Sequence, residues 1–217
     1  MNIEQARFNM IEQQIRPWDV LDPAVLSLLA AVKREDFVPA AYRALAFVDT
    51  EVPLPGGQCM LAPRVEARLL QEAKVQRHET VLEVGAGSGF MAALLGHRAQ
   101  RVITLESRPE LARMASENLR RAGLSNVSVR EADGREGLAA EGPFDVIVLS
   151  GSVAQVPQTL FDQLKVGGRL ITIEGTDPVM HAVLYTRQSD KALSKVELFD
   201  TVAQRLDGFA EPTRFHF

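Results

Sequence analysis

The sequence has 217 residues, of which 46% are hydrophobic and 24% are charged. This is the composition of a globular protein, and it excludes a disordered, collagen-like or coiled-coil chain. The formal charge is −4, from 24 basic and 28 acidic residues, so the chain has no net positive field to attract nucleic acid or an anionic membrane.

Signals for a membrane, a secretory route and a metal are lacking in the sequence. Apolar runs such as residues 146–149 are far shorter than the roughly 20 residues that a membrane-spanning helix needs. The first 20 residues lack a basic start and an apolar stretch, so no secretory signal is predicted. The single cysteine, Cys59, suits a reducing compartment, and we expect the cytoplasm. The four histidines are scattered, which predicts no metal site.

The first third of the chain has two patterns. Apolar residues at helical spacing over residues 3–32 predict two short helices that separate at Arg16-Pro17, because a residue before proline avoids the helical region. Asp22 is expected to cap the second helix, with Pro23 in its first turn. Prolines and glycines cluster over residues 36–63, which predicts a long connection without regular structure. A loop of this length is more often functional than idle.

From residue 65 onward, helix-length and strand-length segments alternate. This alternation predicts crossover units and a mostly parallel sheet with helices on both faces. The strands VLEV, VITL and FDVIVL are apolar on both faces, as a central parallel sheet requires. The predicted strands are 80–84, 102–105, 127–130, 144–149, 170–173, 181–186 and 195–202, the last two as an edge hairpin. The predicted helices are 65–73, 90–98, 110–122 and 158–164, the last ending at Gly167-Gly168.

The most informative segment is VLEVGAGSGF, in which a buried strand leads through a glycine turn into a helix. Glycines allow a sharp turn and let a ligand approach the main chain, although a turn without a ligand has the same pattern. Glu106 follows the next strand, 21 positions after Gly85. This is close to the roughly 20-residue offset at which an acid accepts hydrogen bonds from ribose hydroxyls. The two features together predict an adenosine derivative as ligand.

The spacing of the glycines distinguishes between adenosine derivatives. Gly85, Gly87 and Gly89 form GxGxG, whereas the nicotinamide fingerprint places its third glycine one position later, where this chain has Phe90. A nicotinamide oxidoreductase is therefore disfavoured. Asp133-Gly134 follows the third strand, at the sheet edge where ligands of open α/β folds bind, and would lie near the adenine. A simple turn is the alternative for this pair.

Together, these motifs resemble those of class I S-adenosylmethionine-dependent methyltransferases. Further segments resemble the protein-L-isoaspartate (D-aspartate) O-methyltransferase family: REDFVP at 34–39, LPGGQ at 54–58, AP at 62–63, VP at 156–157 and QLKVGGRL at 163–170. The resemblance covers roughly residues 22–173. It implies an α/β fold with a doubly wound, mostly parallel, seven-stranded Rossmann-like sheet and an N-terminal helical cover. We expect a single domain over residues 1–217, with helices and acceptor loop in 1–64 and the cofactor-binding core in 65–217.

The resemblance also implies an activity. An enzyme of this family uses S-adenosyl-L-methionine to methylate isoaspartyl carboxylates in damaged proteins or peptides, a repair reaction that leaves S-adenosyl-L-homocysteine. The residues implied to bind the cofactor are Glu83, Gly85, Ala86, Gly87, Ser88, Gly89, Glu106, Ser107, Asp133, Gly134 and Ser150. No metal is implied.

One stretch departs from the family pattern. Members usually carry a serine shortly before the Ala-Pro or Gln-Pro pair, and here Leu61 stands in its place, without a hydrogen-bonding group. An ionised carboxylate needs orientation more than a base, so this loss would weaken isoaspartyl methylation rather than abolish it. The alternatives are a small-molecule acceptor and a non-catalytic cofactor-binding protein. The candidates for acceptor contacts are Gln58, Cys59, Leu61 and Arg64, with Asp49 and Thr50 as further polar groups.

Overall fold

The computed structural model describes residues 2–211. Its α-helices are α1 (Ile3–Met10), α2 (Pro23–Ala31), α3 (Pro63–Ala73), α4 (Phe90–Arg98), α5 (Pro109–Arg121) and α6 (Gln158–Asp162). Its strands are β1 (Val52–Pro53), β2 (Cys59–Met60), β3 (Thr80–Val84), β4 (Arg101–Glu106), β5 (Val127–Glu131), β6 (Phe144–Val153), β7 (Leu164–Thr176), β8 (Val179–Ser189) and β9 (Ala192–Asp200). Within residues 2–211, no helix has both the length and the apolar character needed to cross a membrane.

Seven strands form one sheet in the order β5-β4-β3-β6-β7-β8-β9. Strands β3 to β7 are mutually parallel, whereas β8 and β9 are antiparallel and form the edge hairpin. The predicted doubly wound, mostly parallel sheet is confirmed. The chain adds β4 and β5 on one side of β3 and then returns to place β6 on the other. A ligand is therefore expected at the carboxyl ends of β3 and β6, where the strand order reverses.

Both faces of the central strands are buried. Neighbouring residues belong to opposite apolar clusters: Val81 and Leu82 in β3, and Val146 and Ile147 in β6. Helices α3 and α4 cover the first face, and α6 covers the second. Two dry faces explain why these strands contain continuous apolar runs. The N-terminal cover packs on α3 and α4.

The first helix continues further than predicted. After α1 the chain forms a π turn over Ile11–Ile15 and a 3-10 turn over Arg16–Trp18. The expected break at Arg16-Pro17 is wrong, because Arg16 has helical angles (φ −57°, ψ −43°) and the chain turns away only at Asp19, with φ +62°. The wider π turn, with bonds that reach five residues back, relieves the clash that a proline ring makes with an α-helix.

The second helix begins as predicted. The Asp22 carboxylate accepts a hydrogen bond of 2.8 Å from the Ala24 N–H, and Pro23 occupies the first turn. The connection after α2 is more regular than expected. It contains short 3-10 turns, and β1 and β2 pair as an antiparallel ribbon.

Helix α6 ends earlier than predicted. The expected end at Gly167-Gly168 is wrong, because α6 stops at Asp162 and both glycines lie within β7. Leu164 is fully buried and pairs with Phe144 in the sheet. Burying this pair between β6 and β7 outweighs the local helical pattern.

A buried charge joins separate parts of the chain. Arg34 is only 1% exposed and forms an ion pair with Glu66 of α3. It also donates a hydrogen bond of 2.8 Å to the carbonyl of Leu61, and its guanidinium lies 4.9 Å from the centroid of the Phe90 ring. The segment before the acceptor loop, the end of that loop and the start of α4 therefore meet at Arg34.

The Arg34–Glu66 pair should be stabilising only as a pair. Arg34→Met or Glu66→Met alone leaves an unpaired buried charge, and each should lower the free energy of unfolding by about 3–5 kcal/mol. The double variant removes both charges and should recover most of that loss. Urea unfolding of the wild type and the three variants measures these differences. A double variant with a free energy of unfolding as low as that of the less stable single variant would contradict the prediction.

Candidate active site

The glycine turn after β3 adopts a conformation that requires glycine. Gly85, Gly87 and Gly89 have φ values of +90°, +52° and +85°, in the region that other residues avoid. The N–H groups of Gly85 and Ala86 both donate to the Leu105 carbonyl, at 2.9 and 3.2 Å. The turn is thereby fixed against β4 before the chain enters α4.

Glu106, at the end of β4, is joined to this turn. Its Oε2 accepts a hydrogen bond of 2.9 Å from the Gly87 N–H, and its Oε1 accepts one of 3.0 Å from the Arg108 N–H. The residue is only 6% exposed. Because each carboxylate oxygen accepts more than one hydrogen bond, both oxygens keep the capacity to accept from vicinal hydroxyls.

A narrow cavity of about 50 Å³ lies at the carboxyl ends of β3, β4 and β6. Many of the predicted site residues line it: Gln58, Cys59, Gly85, Gly87, Glu106, Ser107, Gly134 and Ser150. It also contains three residues that the sequence did not indicate: Leu206, Asp207 and Phe209. We call it the glycine-turn cavity.

The unpredicted residues come from the segment after β9, which pairs in parallel with the end of β6. The Ser152 N–H donates to the Gln204 carbonyl at 2.8 Å, and the Leu206 N–H donates to the Ser152 carbonyl at 2.9 Å. Asp207 is held by Arg108 at 2.5 Å and by the Gln58 amide at 3.1 Å. No motif marks this segment, and its place depends on a pairing with β6 about 50 residues away.

The Asp133-Gly134 pair is divided between two environments. Asp133 caps the 3-10 turn Gly134–Glu136, and its hydrogen bonds with Arg135 lower the pKa of its carboxyl. Gly134 lines the glycine-turn cavity and packs so closely on β3 that a Cβ there would lie 2.1 Å from Val84 Cγ1. Gly134 therefore forms the wall of the cavity, and the Asp133 carboxylate is half-exposed beside it.

A second, smaller cavity of about 20 Å³ lies beneath the turn, and we call it the inner cavity. It brings together predicted residues from both halves of the chain: Cys59, Leu61, Glu83, Gly85, Ala86, Gly87, Ser88 and Ser150. Glu66, the partner of Arg34, also lines it. The acceptor loop and the glycine turn therefore meet at this point.

Glu83 is a second buried acid of the inner cavity, beside Glu66. It is 0% exposed, and its Oε1 accepts a hydrogen bond of 2.6 Å from the Ser150 hydroxyl. Its Oε2 has no hydrogen-bond partner among the described residues. Burial raises the pKa of Glu83 to about 8, so the side chain is mostly a neutral carboxylic acid at pH 7.

Glu83→Gln should therefore change how stability depends on pH. The pKa of Glu83 rises from an ordinary 4.5 to about 8 on folding, so its contribution is full below pH 4.5 and is lost as the pH rises to about 8. The glutamine variant should gain stability relative to the wild type at pH 8 but not at pH 4, as measured by denaturant unfolding. The exposed Glu131→Gln is the control. An equal difference between the Glu83 variant and the wild type at both pH values would contradict this assignment.

A larger cavity of about 890 Å³, the outer cavity, adjoins the acceptor loop. It is lined by Asp49, Thr50, Glu51, Leu61, Ala62, Arg64, Val65, Thr176, Asp177, Met180, Thr201, Val202, Ala203, Gln204, Arg205 and Glu211. Leu61 lines both this cavity and the inner cavity, so its side chain forms part of the wall between them.

Arg64 and Cys59 are held by their neighbours. Arg64 pairs with Asp49 at 2.9 Å, and its guanidinium lies 3.9 Å from the centroid of the Trp18 ring. Burial and the nearby Glu51 carboxylate raise the pKa of the Cys59 thiol to about 12. The thiol is therefore neutral near pH 7 and is not a nucleophile there. Among residues 2–211, no three His, Cys, Asp or Glu side chains are grouped to hold a metal ion.

Comparison with known proteins identifies relatives of this chain. The family model "Protein-L-isoaspartate(D-aspartate) O-methyltransferase (PCMT)" matches residues 5–202. A protein-L-isoaspartate O-methyltransferase of Koribacter versatilis (strain Ellin345) is 40% identical over 194 residues, which are 89% of this chain and 87% of the relative. One from Methanoculleus marisnigri (strain ATCC 35101 / DSM 1498 / JR1) is 38% identical over 78% of this chain and 77% of the relative.

Solved structures have the same fold. One protein-L-isoaspartate O-methyltransferase superposes with a TM-score of 0.78 at 25% identity. The superposition covers 91% of this chain and 64% of the other chain. A putative protein-L-isoaspartate O-methyltransferase from Plasmodium falciparum, in complex with S-adenosyl-L-homocysteine, has a TM-score of 0.76 at 22% identity. The superposition covers 95% of this chain and 99% of the Plasmodium chain.

Proposed function

The chain belongs to the protein-L-isoaspartate(D-aspartate) O-methyltransferase family, and we propose that it methylates the carboxylate of isoaspartyl residues in damaged proteins or peptides. It is an S-adenosyl-L-methionine-dependent methyltransferase, in agreement with the motifs. The observation that carries the proposal is the joining of the glycine turn to Glu106 beside a cavity lined by the acceptor loop. The turn suits an adenosyl cofactor, and the loop brings an acceptor next to it.

The residues present fit this cofactor. Glu106 would accept hydrogen bonds from the ribose hydroxyls, and Gly134, which packs on Val84 of β3, would form part of the wall beside the adenine. The free Oε2 of Glu83 suits the ammonium group of the methionine part, and that positive charge would draw the pKa of Glu83 down again. When bound, the cofactor supplies an electrophilic methyl group on a positively charged sulfur.

The chain's own part in the reaction is orientation and the exclusion of water. A carboxylate acceptor is already ionised near pH 7, so no general base is required. The protein must hold this carboxylate in line with the methyl group in a dry site. Leu61 and Met60 supply buried apolar surface at the contact between the cavities. Gln58, Cys59 and Arg64 supply the polar part of the loop.

Glu106→Ala tests the cofactor site. The variant loses the acceptor of two ribose contacts, and its affinity for S-adenosyl-L-homocysteine should fall by about 1–3 kcal/mol. Titration calorimetry measures this loss. Glu131→Ala is a matched control, because Glu131 is the register partner of Glu106 on β5 and is exposed. An unchanged affinity in Glu106→Ala would place the ribose elsewhere, and tight binding of NAD instead would refute the cofactor assignment.

Leu61→Ser tests the acceptor. If isoaspartyl carboxylates are the substrate, a hydroxyl at this position should raise kcat/KM for an isoaspartyl peptide by about two- to tenfold, the value of one hydrogen bond. Transfer of tritiated methyl groups measures the change. Leu61→Ala is the control, because it opens the same space without a hydroxyl. A gain of equal size in both variants, or no gain with serine, would favour an acceptor of another kind, such as a small carboxylic acid in the outer cavity.

Two further assignments complete the proposal. The whole chain acts as one domain, in which residues 1–64 supply the helical cover and acceptor loop. The cytoplasm is the compartment that the free thiol of Cys59 favours, because a reducing environment keeps such a thiol unpaired.

A further inference from the structure

The outer cavity contains a fixed cation, Arg205, which no sequence motif indicated. Its Nη2 donates a hydrogen bond of 2.9 Å to the Gly175 carbonyl, and its Nη1 lies 3.3 Å from the hydroxyl of the buried Ser152. The side chain of Arg205 is only 22% exposed. These contacts hold the guanidinium plane in one orientation, so little entropy remains to be lost when an anion binds.

The chain itself places a carboxylate on this cation. Glu211, six residues further along, accepts a hydrogen bond of 2.8 Å from Arg205 Nε, and both side chains line the outer cavity. The Glu211 side chain is 56% exposed. An ion pair with a partner as exposed as this is worth at most about 1 kcal/mol, so another carboxylate can displace it.

Arg205 also lies close to the cofactor site. Arg205 itself pairs with Ser152 of β6, and in an extended chain successive side chains point to opposite sides. Accordingly, Arg205 lines the outer cavity, while its neighbour Leu206 lines the glycine-turn cavity and packs against Gly85. The outer cavity also borders the inner cavity at Leu61, which lines both, so a group bound to Arg205 faces the glycine turn across this side chain.

We propose that Arg205 binds the carboxylate of the acceptor and that Glu211 occupies this position until the acceptor displaces it. The inference rests on the proposed isoaspartyl acceptor and adds the residue that recognises its charge. An arginine whose planar fork is already oriented can bind a carboxylate through two charge-assisted hydrogen bonds. A neutral amide or ester forms weaker hydrogen bonds with it. The acceptor class is thus a peptide with a free isoaspartyl carboxylate.

Arg64 is the other arginine of the outer cavity, and its partners differ. It pairs with Asp49, whose side chain is only 20% exposed, and it stacks on Trp18. The Arg64 charge is thus met by a mostly buried carboxylate, whereas the Arg205 charge is met by an exposed one in the segment after β9. Of the two cations, Arg205 is the one with an exchangeable partner.

The test is binding of an isoaspartyl peptide to the protein saturated with S-adenosyl-L-homocysteine, measured by calorimetry. The probe is compared with the same peptide carrying the isoaspartyl carboxylate as its methyl ester. Arg205→Gln should raise the Kd of the free acid about ten- to one-hundredfold and that of the ester less than about twofold. Arg64→Gln should change the two Kd values equally, and Glu211→Gln should lower the Kd of the free acid by about two- to fivefold.

Several results would overturn the inference. One is an unchanged Kd in Arg205→Gln, another is an equal loss for acid and ester, and a third is loss of acid recognition in Arg64→Gln instead. If thermal melting shows that Arg205→Gln is unstable, Glu211→Gln still tests the inference, because residue 211 is exposed. An unchanged Kd of the free acid in Glu211→Gln would show that Glu211 does not compete with the acceptor. A wild type that binds no isoaspartyl peptide and transfers no methyl group to it refutes the proposed function, and this inference with it. Normal transfer with the same KM in Arg205→Gln refutes the inference alone.

Discussion

The position of the candidate active site depends on one buried guanidinium. Arg34 is paired with Glu66, bonded to the Leu61 carbonyl and stacked near the ring of Phe90. A charge in the interior is tolerated only while its partners stay in place, because an unpaired ion there loses its hydration without compensation. The hydrogen bond from Arg34 thus holds the acceptor loop at Leu61. The contact of the same guanidinium with Phe90 holds the start of α4, directly after the glycine turn.

This constraint gives the site its mixed character. The glycine turn is rigid because its N–H groups bond to β4 and to Glu106, and the loop opposite is rigid because of Arg34. Between them lie apolar side chains such as Leu61 and the buried acid Glu83. Burial of this acid costs little free energy while the carboxyl group is neutral. A positively charged ligand group would favour its ionised form.

Features with a local cause were predictable from the sequence, and those with a distant cause were not. The central strands follow from apolar runs, and the turn at Gly85 follows from glycine spacing, because each depends on neighbouring residues. The ends of two helices were wrongly predicted: a π turn accommodates Pro17, and pairing with Phe144 draws Leu164 into the sheet. The segment that carries Arg205 was not expected at the site, because its place depends on hydrogen bonds to Ser152.

The raised pKa of Cys59 has a consequence for a protein that handles a methylating agent. Cys59 lines the glycine-turn cavity together with Glu106, within the proposed cofactor site. A thiolate is a far better nucleophile toward such a group than a carboxylate, and it would be methylated in place of the acceptor. Because burial raises the pKa of the Cys59 thiol to about 12, the side chain is almost entirely the neutral thiol at pH 7. Burial beside Glu51 would thus keep this cysteine from competing with the acceptor for the methyl group.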